Sequence, residues 1–235
     1  MVHLAGEPVA QRWTAAARDR ILRSRVEGTR ALVAAMRPRP PQVLISASAV
    51  GYYGSRGDEI LTESAPAADD FLGKVAALWE QEAQAAEPLG VRVARLRIGV
   101  VLGRGGGALA RMLLPFRLGV GGRLGSGQQW MAWIHIDDLI ALIDFLMKES
   151  TVRGVFNATS PFPVTNREFT RALAEAVHRP ALLPVPAFAL KWMFGEMSQV
   201  LLASQRAFPD AAQRAGFVFR NPDIYAALAQ IVRAA

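Results

Sequence analysis

The sequence predicts an α/β fold: a parallel sheet with helices on both faces, followed by a smaller, mostly helical C-terminal lobe. Three observations carry this. A short, continuously apolar run at 42–48 ("QVLISAS") is the mark of a strand buried on both faces, and "VRVARLRIGVVLG" (91–103) reads as the next strand. Stretches with apolar residues at helical spacing fill the intervals at 14–36 and 69–87. Strand, helix and strand in alternation require parallel strands joined by right-handed helical crossovers.

Taken in order, residues 1–5 read as the tail of a buried strand. Thr14 is placed to cap the next helix, whose stripe is Ile21, Val26, Leu32 and Val33. "PRPP" at 38–41 ends it. Ser48 closes the strand 42–48, and a loop rich in Gly and Tyr follows. The helix at 69–87 is started by Asp69 or Asp70. After residue 103 the alternation changes. A helix in "GALARMLLPFRLG" precedes a strand at 127–136, and Asp137 caps the helix "DDLIALIDFLMKE". A short strand at 154–159 leads to a helix at 165–179 with a near capping box, Thr165 to Glu168. The tail from Pro184 is read as mostly helical, with Trp192, Met193, Phe194 and Met197 as core. It includes a small strand in "GFVF" and a last helix with Pro222 in its first turn. This divides the chain into a sheet domain, 1–160, with loop and strand insertions at 104–136, and a helical lobe, 161–235.

Composition narrows the function classes. Of 235 residues, 51% are hydrophobic and 20% charged, which is globular composition. The absence of cysteine excludes a disulfide framework and cysteine-based metal sites or nucleophiles. The opening lacks the pattern of a signal peptide, and no apolar run reaches the roughly 20 residues of a membrane-spanning helix. A cytoplasmic protein without a membrane partner is expected. The net charge of +7 favours an anionic ligand, but a nucleic-acid role would rest on charge alone and is not adopted. The densest basic group is Arg18, Arg20, Arg23, Arg25 and Arg30, which reads as a solvated helix face. His135 stands beside Asp137 and Asp138, but on a strand-to-helix turn these groups diverge. Capping, rather than metal ligation, is expected there, and no metal site is proposed.

Ser48 lies at the carboxyl end of a strand, the edge of a parallel sheet where α/β proteins receive ligands. The wider set "LAGEP" (4–8), "VGYYG" (50–54), "RIGVVLGRGGGAL" (97–109), "WIHIDDL" (133–139) and "SQRAFP" (204–209) spans the chain. Together these motifs resemble the extended short-chain dehydrogenase/reductase superfamily, and within it the epimerase family proteins, or NAD-dependent epimerase/dehydratase branch. The resemblance implies a Rossmann-like sheet. "MVHLAGEP" is similar to the fourth strand of that sheet, so the glycine turn that cradles the cofactor pyrophosphate is expected upstream of Met1, in an N-terminally truncated chain.

The resemblance also implies chemistry. It suggests NAD(P), with NADP favoured, held by Leu4, Ala5, Gly6, Arg25 and Val101. Ser48 and Lys74 are the implied catalytic residues, and Tyr53, Gln128 and Trp130 the implied substrate-side residues. Members of the wider superfamily carry Tyr four residues before the Lys, as the group that transfers the substrate's proton. Here Asp70 stands there instead. The implied function is NAD(P)-dependent epimerase, dehydratase or oxidoreductase chemistry on an unknown small molecule of nucleotide-sugar type. The alternative is a non-catalytic NADP(H)-binding regulator, with the isolated chain inactive. A homodimer is compatible with either.

Overall fold

The structure is a computed structural model that describes residues 1–233. Its centre is a four-stranded parallel sheet of β1 (Val2–His3), β2 (Val43–Ala49), β4 (Arg92–Ile98) and β8 (Gly154–Ala158), in that spatial order. The order skips β3 (Ile60–Leu61) and β5 (Val100–Leu102), which pair elsewhere.

Helix α1 (Ala15–Met36) and helix α2 (Phe71–Gln84) carry the chain over one face, where Val33, Met36, Leu44, Ala83 and Val93 form a core. The caps are those the sequence indicates: the Thr14 hydroxyl accepts from the Ala17 amide, and the Asp70 carboxylate from the Gly73 amide. Helix α3 (Gly107–Arg117) follows β5. The other face is covered by α4 (Ile136–Lys148), whose Leu139, Leu142 and Leu146 meet Ile45, Leu96 and Phe156. Helices thus lie on both sides of a parallel sheet, as expected.

The strand expected over 91–103 is broken at Gly99. A side-chain Cβ there would lie 2.7 Å from the Ala132 carbonyl oxygen. That close approach lets β5 leave the main sheet and pair with β7 (Trp133–His135). The strand expected over 127–136 is likewise two pieces, because β6 (Trp130–Met131) pairs antiparallel with β9 (Val164–Thr165) instead.

The C-terminal part contains α5 (Asn166–Ala176), α6 (Ala187–Phe194), α7 (Ser198–Leu202), β10 (Arg206–Ala207), α8 (Asp210–Arg214) and α9 (Ile224–Arg233). Its core joins Phe169, Leu173, Ile224 and Leu228 to Leu102, Leu109 and Trp133 from β5, α3 and β7. Strand β10 adds to β3, in parallel.

Several expectations are corrected. "GFVF" is not a strand: Phe217 packs against Phe145 and Phe219, at ring-centroid distances of 5.5 and 4.9 Å. Pro222 precedes the last helix, and Asp223 caps it by accepting from the Ala226 amide. Trp192 and Met193 are not core but 85% and 55% exposed, because α6 buries only Leu190. Among the described residues, no helix is long and apolar enough to cross a membrane.

Candidate cofactor cleft

The carboxyl edge of the sheet is where the strand-end loops converge. Leu4, Ala5 and Gly6 follow β1 and are exposed. The Arg25 guanidinium reaches them from α1. It donates to the Glu7 and Ile21 carbonyls, at 2.9 and 3.2 Å, and lies over the Trp79 ring at 5.0 Å. A Cβ on Gly6 would stand 3.0 Å from the guanidinium carbon, so the glycine is what lets the arginine lie on this backbone. Burial lowers the Arg25 pKa, opposed by the nearby charge of Glu7. Behind them, His3 and Thr29 share a buried hydrogen bond of 2.9 Å. The structure thus brings together Leu4, Ala5, Gly6 and Arg25. It does not bring Val101 to them. The break at Gly99 carries Val101 into β5, where it packs against the core between sheet and α4.

Ser48, Arg97 and Asn157 occupy one register row across β2, β4 and β8. In a parallel sheet such a row projects to one face. All three are buried, and with Glu80 and Tyr53 they form a closed polar network. The Ser48 hydroxyl donates to Glu80 Oε1 at 2.7 Å. Arg97 grips the same carboxylate with two bonds, of 2.8 and 3.0 Å. Its third bond reaches the Tyr53 hydroxyl at 2.9 Å, and Tyr53 donates to Asn157 Oδ1 at 2.7 Å. Tyr52 stacks on the guanidinium at 3.4 Å. Burial alone would depress the Arg97 pKa; hydrogen bonds and charge from Glu80, with help from Tyr53, raise it above the ordinary value. Burial pushes the Tyr53 phenol up to about 12, against the opposing pull of Arg97 and Asn157. At the margin, the Asn157 amide donates to Glu63 Oε1 at 2.8 Å. Burial raises the pKa of that carboxyl group.

These contacts relocate several expected site residues. Tyr53 is fully buried rather than on the substrate side, because its hydroxyl is needed to satisfy Arg97. Lys74 is exposed and pairs with Asp69 at 3.0 Å, while Asp70 serves as the helix cap. Ser48 and Lys74 therefore end on different carboxylates, Glu80 and Asp69. Gln128 is exposed in the loop before β6. Trp130 donates its indole N–H to Asp58 at 2.7 Å and carries Arg206 over its ring at 4.3 Å. Glu80, Arg97 and Asn157 were not anticipated. A signal existed for two of them. Arg95 and Arg97 alternate inside a strand that must be buried, and Glu80 follows Trp79 on the inward face of α2. A charge in either place demands a partner.

His135 is buried and caps α4 itself, accepting from the Asp137 amide at 3.1 Å; the expected cap, Asp137, lies inside the helix. Asp138 turns away to accept from the Arg220 and Asn221 amides at 3.0 and 2.8 Å. Among the described residues, no three His, Asp or Glu side chains converge as metal ligands.

Comparison with known proteins fits this geometry. The chain is 40% identical over 234 residues to the epimerase family protein YfhF of Bacillus subtilis, covering 98% of this chain and 77% of that one. A human epimerase family protein, SDR39U1 isoform 2, whose crystal structure contains NADPH, superimposes with a TM-score of 0.93 at 36% identity. That match covers 100% of this chain and 81% of the human one. A protein described as a nucleoside-diphosphate sugar epimerase from Corynebacterium glutamicum gives 0.79 at 35% identity, covering 98% of this chain but 45% of its own. Residues 185–231 match a domain of unknown function, DUF1731. Residues 1–159 match the NAD dependent epimerase/dehydratase family. With that match over more than half its length, and with the NAD(P)-binding Rossmann-like fold of short-chain dehydrogenases, this chain belongs to the NAD dependent epimerase/dehydratase family.

Proposed function

We propose that the cleft above β1, β2 and β4 takes NADP(H), and that the protein acts as an oxidoreductase or epimerase on a small hydroxyl-bearing molecule of nucleotide-sugar type. The observation that carries this is the Gly6–Arg25 contact. A backbone kept bare by glycine, with a guanidinium lying against it, suits the close approach of a phosphate-bearing dinucleotide. Leu4, Ala5 and Gly6 would form its floor, and Arg25 would face its phosphates. When bound, the nicotinamide supplies or accepts a hydride. The choice of NADP over NAD is supported by the NADPH in the human relative. The nucleotide-sugar assignment is supported by the description of the Corynebacterium relative.

The residues here supply positioning more readily than proton transfer. Lys74 and Asp69 are solvent-facing polar groups at the start of α2. The Ser48 hydroxyl is already engaged in a hydrogen bond to Glu80, and the Tyr53 phenol, at about 12, stays protonated through neutral pH. This favours a second reading, a binder of NADP(H) without turnover.

One experiment separates the two. The 235-residue chain is titrated with NADPH by fluorescence. It is then incubated with NADPH and a panel of ketones and nucleotide sugars. Binding with oxidation supports the enzyme, and binding without oxidation supports the regulator. Gly6→Val is expected to weaken binding about tenfold or more by displacing Arg25. Absence of NADPH binding would overturn the proposal.

A further inference from the structure

The net charge of +7 needs a location, and the structure moves it away from where the sequence puts it. The arginine-rich helix α1 is largely neutralised. Arg18 pairs with Glu196, Arg20 with Glu7, Arg23 with Glu27, and Arg30 with Glu82. Arg25 belongs to the proposed cofactor site, where it also donates to two backbone carbonyls. Three other arginines instead line one groove of about 240 Å³ in the C-terminal part: Arg123 from the loop before β6, and Arg167 and Arg171 on α5. None of the three forms an ion pair with a carboxylate among the described residues. Thr170 also lines the groove, and Ala174, Ala181 and Leu182 supply its apolar side.

The groove is built rather than incidental. The Arg167 amide donates to the Gly127 carbonyl at 2.8 Å, and the Val185 amide to the Arg123 carbonyl at 2.8 Å. These bonds tie the start of α5, the loop before β6 and the segment 181–185 to one another. Gly127 has φ of 72°, and a Cβ there would meet Arg123 at 3.1 Å and Arg167 at 3.3 Å. The two arginine stems are therefore held close across a residue that has to be glycine. No lining residue belongs to the four-stranded sheet or to the loops at its carboxyl edge.

We propose that Arg123, Arg167 and Arg171 form a phosphate-binding site separate from the cofactor cleft, suited to a phosphate or diphosphate group. Three guanidiniums without carboxylate partners match that chemistry, since each offers forked N–H donors to phosphate oxygens. The volume is below the roughly 300–1,000 Å³ of pockets that enclose a whole drug-sized ligand, so a head group fits better than a complete cofactor. The source of the phosphate is a soluble metabolite or a lipid headgroup. Leu182, 82% exposed beside the groove, suits the second.

The test uses inorganic pyrophosphate titrated into the 235-residue chain by calorimetry at low ionic strength. Arg167→Ala/Arg171→Ala is compared with a charge-matched control, Arg20→Ala/Arg23→Ala. All four positions are exposed on helices, so both variants keep the fold, checked by circular dichroism. The expected result is saturable binding that weakens by on the order of tenfold or more in the groove variant and changes less than about twofold in the control. Absence of binding, or equal weakening in both variants, would mean diffuse charge and sink the site. Vesicles with and without phosphatidic acid form the second arm. Co-sedimentation lost in the groove variant assigns a lipid headgroup. Pyrophosphate binding without co-sedimentation assigns a soluble phosphate.

Discussion

The buried pair of Glu80 and Arg97 dominates the molecule at the scale of single residues. Each side chain is about 5% exposed or less, and each is held by more than one hydrogen bond. Removing one partner strands the other charge in a low-dielectric interior. Arg97→Leu or Glu80→Leu is therefore expected to cost about 3–5 kcal/mol of stability in urea denaturation, while the double apolar replacement costs less. Tyr53 gives a pH test. Its folded pKa of about 12 lies above its ordinary value of 10.0. Below pH 10 the phenol is protonated in both states and contributes no pH dependence. Between about pH 10 and 12 the unfolded chain loses the proton and the folded chain keeps it. Stability therefore falls across that window by about 2–3 kcal/mol, and stays lost above it. Absorbance titration should show a phenol ionising near pH 12, and Tyr53→Phe should remove that step.

Elements are decided by where the backbone has to pass. Gly99 ends β4 because the Ala132 carbonyl crosses there, and this break sends β5 toward the C-terminal lobe. Gly99→Ala is expected to destabilise by about 1–3 kcal/mol as an overpacking change. Gly28, in the middle of α1, has open space where its Cβ would be. Gly28→Ala should therefore stabilise by about 0.5–1 kcal/mol, through helix propensity alone. Opposite signs for two glycine-to-alanine changes, read from thermal melts, check both assignments. The helix caps at Thr14, Asp70 and Thr165 were legible because a cap needs only a side-chain oxygen within three residues of a free amide. The cap at His135 was not, because nothing in "HIDD" says which side chain turns back to the helix and which turns away to Arg220 and Asn221.

Across the whole molecule, the division expected at residue 160 cuts through shared structure. Asn157 donates to the Phe208 carbonyl, Asp138 accepts from the 220–221 backbone, and β10 adds to β3. Trp133 and Leu102 lie in one core with Phe169 and Leu228. A chain ending at residue 160 would expose that apolar surface and strip Asp138 of its donors. It is expected to show no cooperative thermal transition, whereas the 235-residue chain melts cooperatively. A sharp transition in the shorter chain would establish an independent unit.

The sequence by itself determined the local and periodic features: strands buried on both faces, the helices between them, most caps, and the motifs that resemble the epimerase family. These depend on neighbours within a few residues, or on a pattern repeated along the whole chain. Tertiary structure alone decided where side chains ended up. It set Ser48 on Glu80 rather than beside Lys74, closed Tyr53 into the core, carried Val101 away from Gly6, turned Trp192 outward, and gathered Arg123, Arg167 and Arg171 around one groove. Each outcome depends on partners tens of residues distant, or on which face of an element is covered. Hydrophobic spacing along a chain does not encode which buried charge will meet which; that is fixed when the sheet aligns Ser48, Arg97 and Asn157 in one row and leaves Arg97 needing a carboxylate.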